Sequence, residues 1–532
     1  MTGASGTANG VSQPSNPWLI AIVVSLATFM EVLDTTIANV ALRYISGGLA
    51  VSADEASWVV TTYLVSNAIV LVASSFIAKR YGRRRFYMVC LATFTIASIC
   101  CGLAWNLQSL LIFRMIQGFA GGGMVPVSQS ILADSFPPAK RGQAFALFGV
   151  AVVVAPVIGP TLGGYLSDNF SWHWCFLING PVGVLALVLV FILIKEPESL
   201  RKERETMRRQ GLRFDLIGFL LVATFLGALE LVLDRGQTED WFDSNFIVLA
   251  TAISGLALLL SIPWLLSRDH PAVDVRLLAS RQFGSCVIVM LGTGAILIAT
   301  TNFLPQVLQQ NFGYTATWAG LSLSPGGLVT MMMMFVTGWL GGVIQPKYLM
   351  AVGAALIAAG MWDLTRLSPD LNFWFFALSR MILGFGLPLI FLPITSASYD
   401  GLRPDQTDQA SALINAARNT GGSIGVCIAT NVLAHRQQWH QSRLVEHVLP
   451  SNPAYNQVLG RATDYFTQHG IGPAGARTQA GAWIGQQIAT QASFLAYIDV
   501  FRVLMWLSLC AIPLALVLRS IDLHKPQRGG AH

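Results

Sequence analysis

Asp34 sits in the stretch Leu33-Asp34-Thr35-Thr36-Ile37-Ala38-Asn39-Val40-Ala41-Leu42, within an apolar run over about 18–42 that is long enough to cross a bilayer. A carboxylate at membrane depth costs at least ~2.5 kcal/mol, so such a residue faces a partner or a wet cavity. Desolvation favours the neutral acid and brings proton uptake toward physiological pH. A group that gains and loses a proton as access alternates is what proton coupling requires; the competing reading is a hydrogen-bonded aspartate that only joins helices. Glu31, one turn earlier, is a second candidate, and Asn39 on the same helix can hold a substrate or a neighbouring helix. Arg114, three residues before Gln117 in another apolar run, is a permanent cation that demands acceptors and can set the proton affinity of an acid on an adjoining helix. Asn39 and Gln117 are expected in a substrate cavity. Arg418, with Asn415 and Asn419, makes a polar stripe in a later run that suits a substrate or gating role, and Arg380 invites a structural or a functional reading equally.

These charges stand out because the chain has few others. Of 532 residues, 54% are hydrophobic and only 11% charged, against about 25% in soluble domains. Apolar runs of spanning length recur about fourteen times between 18 and 519, which predicts an all-α polytopic membrane protein and excludes a porin-type barrel. Lys and Arg concentrate in alternate connections: Lys79, Arg80, Arg83, Arg84 and Arg85, then Lys140 and Arg141, then a cluster over 195–213. By the positive-inside rule both ends are cytoplasmic, and the +6 balance reflects topology and anionic lipid neighbours rather than nucleic acid. The seven cysteines lie in apolar runs and read as packing residues. No metal-ligand spacing, nucleotide loop or catalytic arrangement is present, so no cofactor, no ATP-driven step and no enzyme activity are expected.

An internal repeat sets the architecture. Phe113-Arg114-Met115-Ile116-Gln117-Gly118-Phe119 recurs as Ser379-Arg380-Met381-Ile382-Leu383-Gly384-Phe385, and the same offset matches Ser130 with Ser396, Asp134 with Asp400 and Gly159 with Gly425. Chance likeness between apolar helices would seldom match Arg, Asp and Ser in register, so two parallel halves flank a central site. The expected organisation is a cytoplasmic tail over 1–17, a six-helix half over 18–194, a cytoplasmic linker over 195–214, two inserted helices over 215–266, a second six-helix half over 284–519 and a tail over 520–532. The second half includes a long polar external loop over 435–492, whose four histidines (His435, His440, His447, His469) lack ligand spacing and read as solvated. In the fifth span, Ala155-Pro156-Val157-Ile158-Gly159-Pro160-Thr161-Leu162-Gly163-Gly164 carries a density of Pro and Gly that suits a surface able to seal and slide. Glu230 and Asp234 lie outside the duplicated core and read as local structure.

These segments resemble the major facilitator superfamily and, within it, the fourteen-helix drug:proton antiporters, closest to the EmrB-like inner-membrane multidrug pumps. The stretch 33–42 resembles that family's first-span motif with Asp34 at its acidic position. The stretch 110–122 resembles its fourth-span motif with Arg114 at the position linked to proton transfer. The stretch 155–164 is similar to the antiporter motif, with gating implied for Pro156, Gly159, Pro160, Gly163 and Gly164. The stretch 171–183 resembles a further motif of the family, with His173 in place of a usual arginine, and Asp234-Arg235 resembles the family's D-R-G turn, which implies a local pair. The loop motif keeps Gly82, Arg83 and Arg84 but has Ser75 for glycine and Lys79, followed by Arg80, for the usual aspartate, so the charge relay assigned to that aspartate does not transfer. The resemblance implies protons as coupling ion, with Asp34, Arg114 and Glu31 as coupling residues. It also implies small lipophilic substrates, a periplasmic adaptor, a TolC-type outer-membrane channel and a bacterial inner-membrane location. An uptake symporter or uniporter, or a non-transporting sensor, are the alternatives.

Overall fold

The computed structural model describes residues 16–136, 138–194, 215–269, 271–400, 402 and 406–518. The expected linker 195–214 and most of both expected tails lie outside the described residues. The first half comprises α1 (Pro17–Leu49), α2 (Ala53–Tyr81), α3 (Arg83–Gly102), α4 (Leu107–Ser135), α5 (Pro138–Asn169) and α6 (Asn179–Leu193), the last preceded by a single turn. Two helices follow, α7 (Leu216–Arg235) and α8 (Asn245–Ser267). The second half comprises α9 (Arg281–Asn311), α10 (Ala316–Leu340), α11 (Pro346–Leu364), α12 (Phe373–Ala397), α13 (Thr407–Val445) and α15 (Pro473–Leu516), with α14 (Pro453–Gln468) outside the bundle count. No strand occurs among the described residues.

Local chemistry sets where these helices begin. The Ser52 hydroxyl accepts from the Glu55 amide at 3.1 Å while the Glu55 carboxylate accepts from the Ser52 amide at 2.8 Å, a reciprocal cap that starts α2. Asn106 and Ser109 do the same for α4. Asp215 caps α7 through the Gly218 amide at 2.9 Å and accepts from the Trp264 indole at 2.9 Å, tying α7 to α8. The α2–α3 turn is one residue, Gly82, at φ 97°, a conformation that side-chain-bearing residues rarely adopt.

Thirteen described helices are long and apolar enough to span a bilayer. The fourteenth span, α13, is too polar to qualify by hydropathy alone because it carries Asn415, Arg418, Asn419 and Asn431. Outward faces are apolar and bare, as lipid contact requires; Leu259 on α8 is 70% exposed. The segment 435–492 is not an open loop. Helix α13 runs through it to Val445, α14 fills its middle and α15 starts at Pro473, because its polar residues are good helix formers outside the membrane as well. Within it His440 is not solvated but bonds Asp499 at 2.8 Å.

The two halves repeat one packing scheme: α1 on α5, α2 and α3 on α4, α3 on α6, and correspondingly α9 on α13, α10 and α11 on α12, α11 on α15. Glycines allow the closest of these approaches. A Cβ on Gly159 would meet the Thr36 side chain of α1 at 2.1 Å, and one on its repeat-mate Gly425 would meet the Ala295 carbonyl oxygen of α9 at 2.4 Å. Between the halves, α5 and α10 interlock from Gly142 against Gly338 to Thr161 against Gly320, whereas α2 and α13 leave space. The inserted α7 lies against α2 and α8 and touches α13, so it borders that space.

A Cβ at Gly320 would lie 2.5 Å from the Thr161 Cα and 2.6 Å from its amide nitrogen, where only backbone could yield. Gly320→Ala is therefore expected to destabilise the protein by about 1–3 kcal/mol, seen as a lower melting temperature in detergent. Gly292→Ala, with nothing within 4 Å of the new Cβ, is expected to leave stability unchanged or raise it.

Candidate functional site

Asp34 and Arg114 meet in the interior of the first half. Arg114 Nη1 lies 2.6 Å from Asp34 Oδ2, and both side chains are fully buried. The other carboxylate oxygen accepts from Gln117 Nε2 at 3.0 Å and Asn179 Nδ2 at 2.7 Å. Arg114 also donates to the Gln117 amide oxygen at 2.9 Å and, through Nε, to the Val59 carbonyl at 3.1 Å, and its guanidinium lies 4.4 Å from the Tyr63 ring centroid. Four helices thus converge on one ion pair: α1 brings Asp34, α4 brings Arg114 and Gln117 one turn apart, α2 brings Val59 and Tyr63 to the guanidinium, and α6 brings Asn179 to the carboxylate. Removing one partner of such a dry pair leaves a buried charge uncompensated, at a cost of about 3–5 kcal/mol.

Beside this cluster is a cavity of about 260 Å³, lined by α1, α2, α5, α7, α9 and α13 and including Glu31, Asn39, Asn67, Glu230 and Asn419. Asp34 does not line it. Glu31, one turn away, does: its Oε1 accepts from Asn67 Nδ2 at 3.4 Å, while buried Oε2 has no hydrogen-bond partner. Arg418 faces the same cavity, reaching Asn419 Oδ1 at 3.2 and 3.3 Å with Nη1 unpartnered. Asn419 donates to Asn67 Oδ1 at 3.3 Å and so joins the two halves.

Gln117 and Asn415, expected at the cavity, do not line it. Gln117 faces α1 and holds Asp34. Asn415 lies a turn nearer the Gly82 end, where the halves touch; it donates to Gln129 Oε1 at 2.7 Å, which also accepts from Ser411 at 2.8 Å. Arg380, repeat-mate of Arg114, is buried without an ion pair among the described residues, and α9 has no carboxylate to offer it. Acid and base are paired at this depth in the first half alone, among the described residues.

In the antiporter-like segment, Pro156 lines the cavity, Gly159 and Gly163 pack on Thr36 and Ile37 of α1, and Pro160 and Gly164 are buried. Thr161 and Val157 on the same helix meet Gly320 and Gly327 of α10, so the segment is wedged between its own half and the other. In the loop motif, Arg83 bonds Asp134 of α4 and, at 2.9 Å, Asp408 of α13, an ion pair across the halves. Arg84 donates to the Phe191 carbonyl at 2.6 Å, and Lys79 and Arg80 occupy the last turn of α2, where helix carbonyls favour cations. His173 stacks on Trp172 with centroids 3.8 Å apart, and burial lowers its pKa.

Several site residues escaped the sequence reading. Asn179 lies in the motif-like stretch 171–183, which by itself gives it no role. Gln129, Asp134 and Asp408 carry no motif signal beyond the repeat match of Asp134. Glu230, expected to be local structure, lines the cavity and accepts from Ser423 of α13. The expected Asp234–Arg235 pair does not form. Successive helical residues diverge, so Asp234 accepts from Thr61 while Arg235 pairs with Asp54 at 2.8 Å and Glu239 at 3.2 Å.

Two repeated six-helix halves with a cavity at their junction and charges at membrane depth define a polytopic membrane transport protein. Residues 24–426 match the family model described as Major Facilitator Superfamily, and the chain belongs to that superfamily. It is 38% identical over 497 residues to the multidrug export protein EmrB of Escherichia coli (strain K12), covering 92% of each chain. It is 35% identical over 452 residues to the fatty acid resistance protein FarB of Neisseria gonorrhoeae, covering 85% of this chain and 87% of that one. In fold it resembles the proton:xylose symporter XylE, with TM-score 0.56 and 14% identity over 92% of this chain and 94% of that one.

Proposed function

We propose that the chain is a proton-driven antiporter that exports lipophilic or amphipathic compounds across the bacterial inner membrane, delivering them to a periplasmic adaptor and a TolC-type channel. The observation that carries this reading is the sealed Asp34–Arg114–Gln117–Asn179 cluster one helical turn behind Glu31, which opens on the cavity. Asp34 holds the coupling proton, Arg114 and Asn179 set its affinity, and Glu31 passes protons between Asp34 and the cavity. Asn39 and Asn419 offer hydrogen bonds to a substrate within mostly apolar walls, and the 155–164 segment seals and slides as access alternates. The likeness to EmrB over nearly the whole chain supports export, and the Pro/Gly segment of α5 supports exchange rather than uptake. With both ends cytoplasmic, the Gly82 end faces the cytoplasm. A proton moving down about 150 mV supplies roughly 3.5 kcal/mol, enough for a few-hundredfold gradient of a neutral compound.

The test is substrate-induced proton movement. In energised everted vesicles containing the chain, adding a lipophilic antibiotic is expected to release protons from the lumen, read as recovery of quenched acridine orange fluorescence. No recovery with any compound that the chain exports from cells would defeat the proton-coupled reading.

A further inference from the structure

At the end of the bundle opposite Gly82, three cationic or potentially cationic side chains converge on one carboxylate. Asp499 of α15 accepts from Arg436 Nε at 2.6 Å, from His440 Nε2 at 2.8 Å and from Arg502 Nη1 at 3.1 Å. One negative charge cannot balance two arginines, so the cluster is net positive whatever the state of His440. Both guanidiniums remain accessible, with side-chain exposures of 43% for Arg436 and 58% for Arg502. They border a groove of about 480 Å³ that also includes His435, Val432, Val503 and Trp506.

Depth identifies what this groove meets. Arg436 is 28 residues beyond Asp408 on the continuous helix α13, which at 1.5 Å per residue places it about 42 Å along the axis. Asp408 contacts Arg83 at the opposite end of the bundle. That span exceeds the ~30 Å hydrocarbon core and matches a bilayer including its head groups. Trp439, against whose ring Arg436 packs at 4.7 Å, and Trp506, one turn along α15 from Arg502, are 46% and 61% exposed, as suits interfacial aromatic residues. The groove is thus polar and positive at Arg436 and Arg502 and apolar at Val503 and Trp506. A soluble anion matches only the first part, and an acidic protein segment gains nothing from a lipid-facing tryptophan.

We infer that Arg436 and Arg502 form a binding site for the head group of an anionic phospholipid, with the acyl chains lying along Val503 and Trp506. The site is separate from the cavity and does not depend on the transport reading. Asp499 is the counter-ion shared by both arginines and offsets only one of their two charges.

The test uses the full-length chain, delipidated in detergent, with melting temperature followed during titration with dioleoylphosphatidylglycerol, dioleoylphosphatidylcholine or inorganic phosphate. Phosphatidylglycerol is expected to stabilise the wild type at lower concentration than phosphatidylcholine. Arg436→Gln/Arg502→Gln is expected to weaken phosphatidylglycerol by about thirtyfold while leaving phosphatidylcholine unchanged. Asp499→Asn frees both arginines from their counter-ion and is expected to bind phosphatidylglycerol at least as tightly as the wild type, which keeps the proposal testable should the double variant misfold. Equal stabilisation by the two lipids, a full effect from inorganic phosphate alone, or loss of the preference in Asp499→Asn would each overturn the proposal.

Discussion

Asp34→Asn is expected to abolish proton-driven export, collapsing the few-hundredfold gradient that one proton can sustain to near unity in energised vesicles. Asparagine has almost the same shape and can still meet Gln117 and Asn179, which donate to Asp34 at 3.0 and 2.7 Å. It cannot carry a proton between states. It also leaves Arg114 without its carboxylate, so the variant is expected to lose about 3–5 kcal/mol of stability for a reason unrelated to coupling. The double variant Asp34→Asn/Arg114→Gln separates the two effects: with the orphaned cation gone, much of the stability is expected to return, while driven export stays absent. Substrate binding, measured by quenching of intrinsic tryptophan fluorescence, is expected to persist in both, because Asp34 does not line the cavity. Full export by the stable double variant would remove Asp34 from the coupling mechanism.

The sequence made Asp34 and Arg114 conspicuous because charge is so scarce within the spans, and their meeting needed only that α1 and α4 be neighbours. The repeat was legible for the same reason: Arg, Asp and Ser matched in register where apolar residues would have matched by chance. Other features depended on facing direction, which composition does not carry. Gln117 and Asn415 have the polarity of cavity residues, but Gln117 faces α1 and Asn415 sits where the halves touch, so both are spent on protein partners. Glu230 looked peripheral because its helix lies outside the duplicated core. That helix borders the gap between α2 and α13, and its position there follows from packing on α2, a contact between helices that are 135 residues apart at their nearest ends. The polar segment after 434 reads as a loop in the sequence because it is too polar to cross a membrane. Polarity excludes a span but not a helix, and the last turns of α13 and the whole of α14 form outside the spans.

The second large effect concerns the loop motif, where Lys79 stands in place of the aspartate to which a conformational charge relay is assigned. The geometry places an ion pair between the halves at that end all the same: Arg83, fixed by the Gly82 turn at the start of α3, holds Asp134 of its own half and Asp408 of the other. Gln129, Ser411 and Asn415 close the contact just inside it. The latch strengthens the state in which this end is shut, so breaking it is expected to populate the opposite state. Asp408→Asn removes the carboxylate that crosses to Arg83, and a buried charged hydrogen bond lost at an interface costs about 2–5 kcal/mol, a shift of roughly thirtyfold or more in the equilibrium between states. A cysteine placed at Ser411, beside Gln129, is expected to react with a membrane-impermeant maleimide from the Gly82 side far faster in the Asp408→Asn background than in the wild type. Export is expected to fall steeply, because a transporter that cannot close one end releases its substrate back to the side it came from. Arg83→Asp with Asp408→Arg keeps the attraction across the halves but sets the new carboxylate on α3 against Asp134, so it is expected to restore slow labelling only when Asp134→Asn is added. Slow labelling in Asp408→Asn itself would mean that the interlocked α5 and α10 hold this end shut without the ion pair.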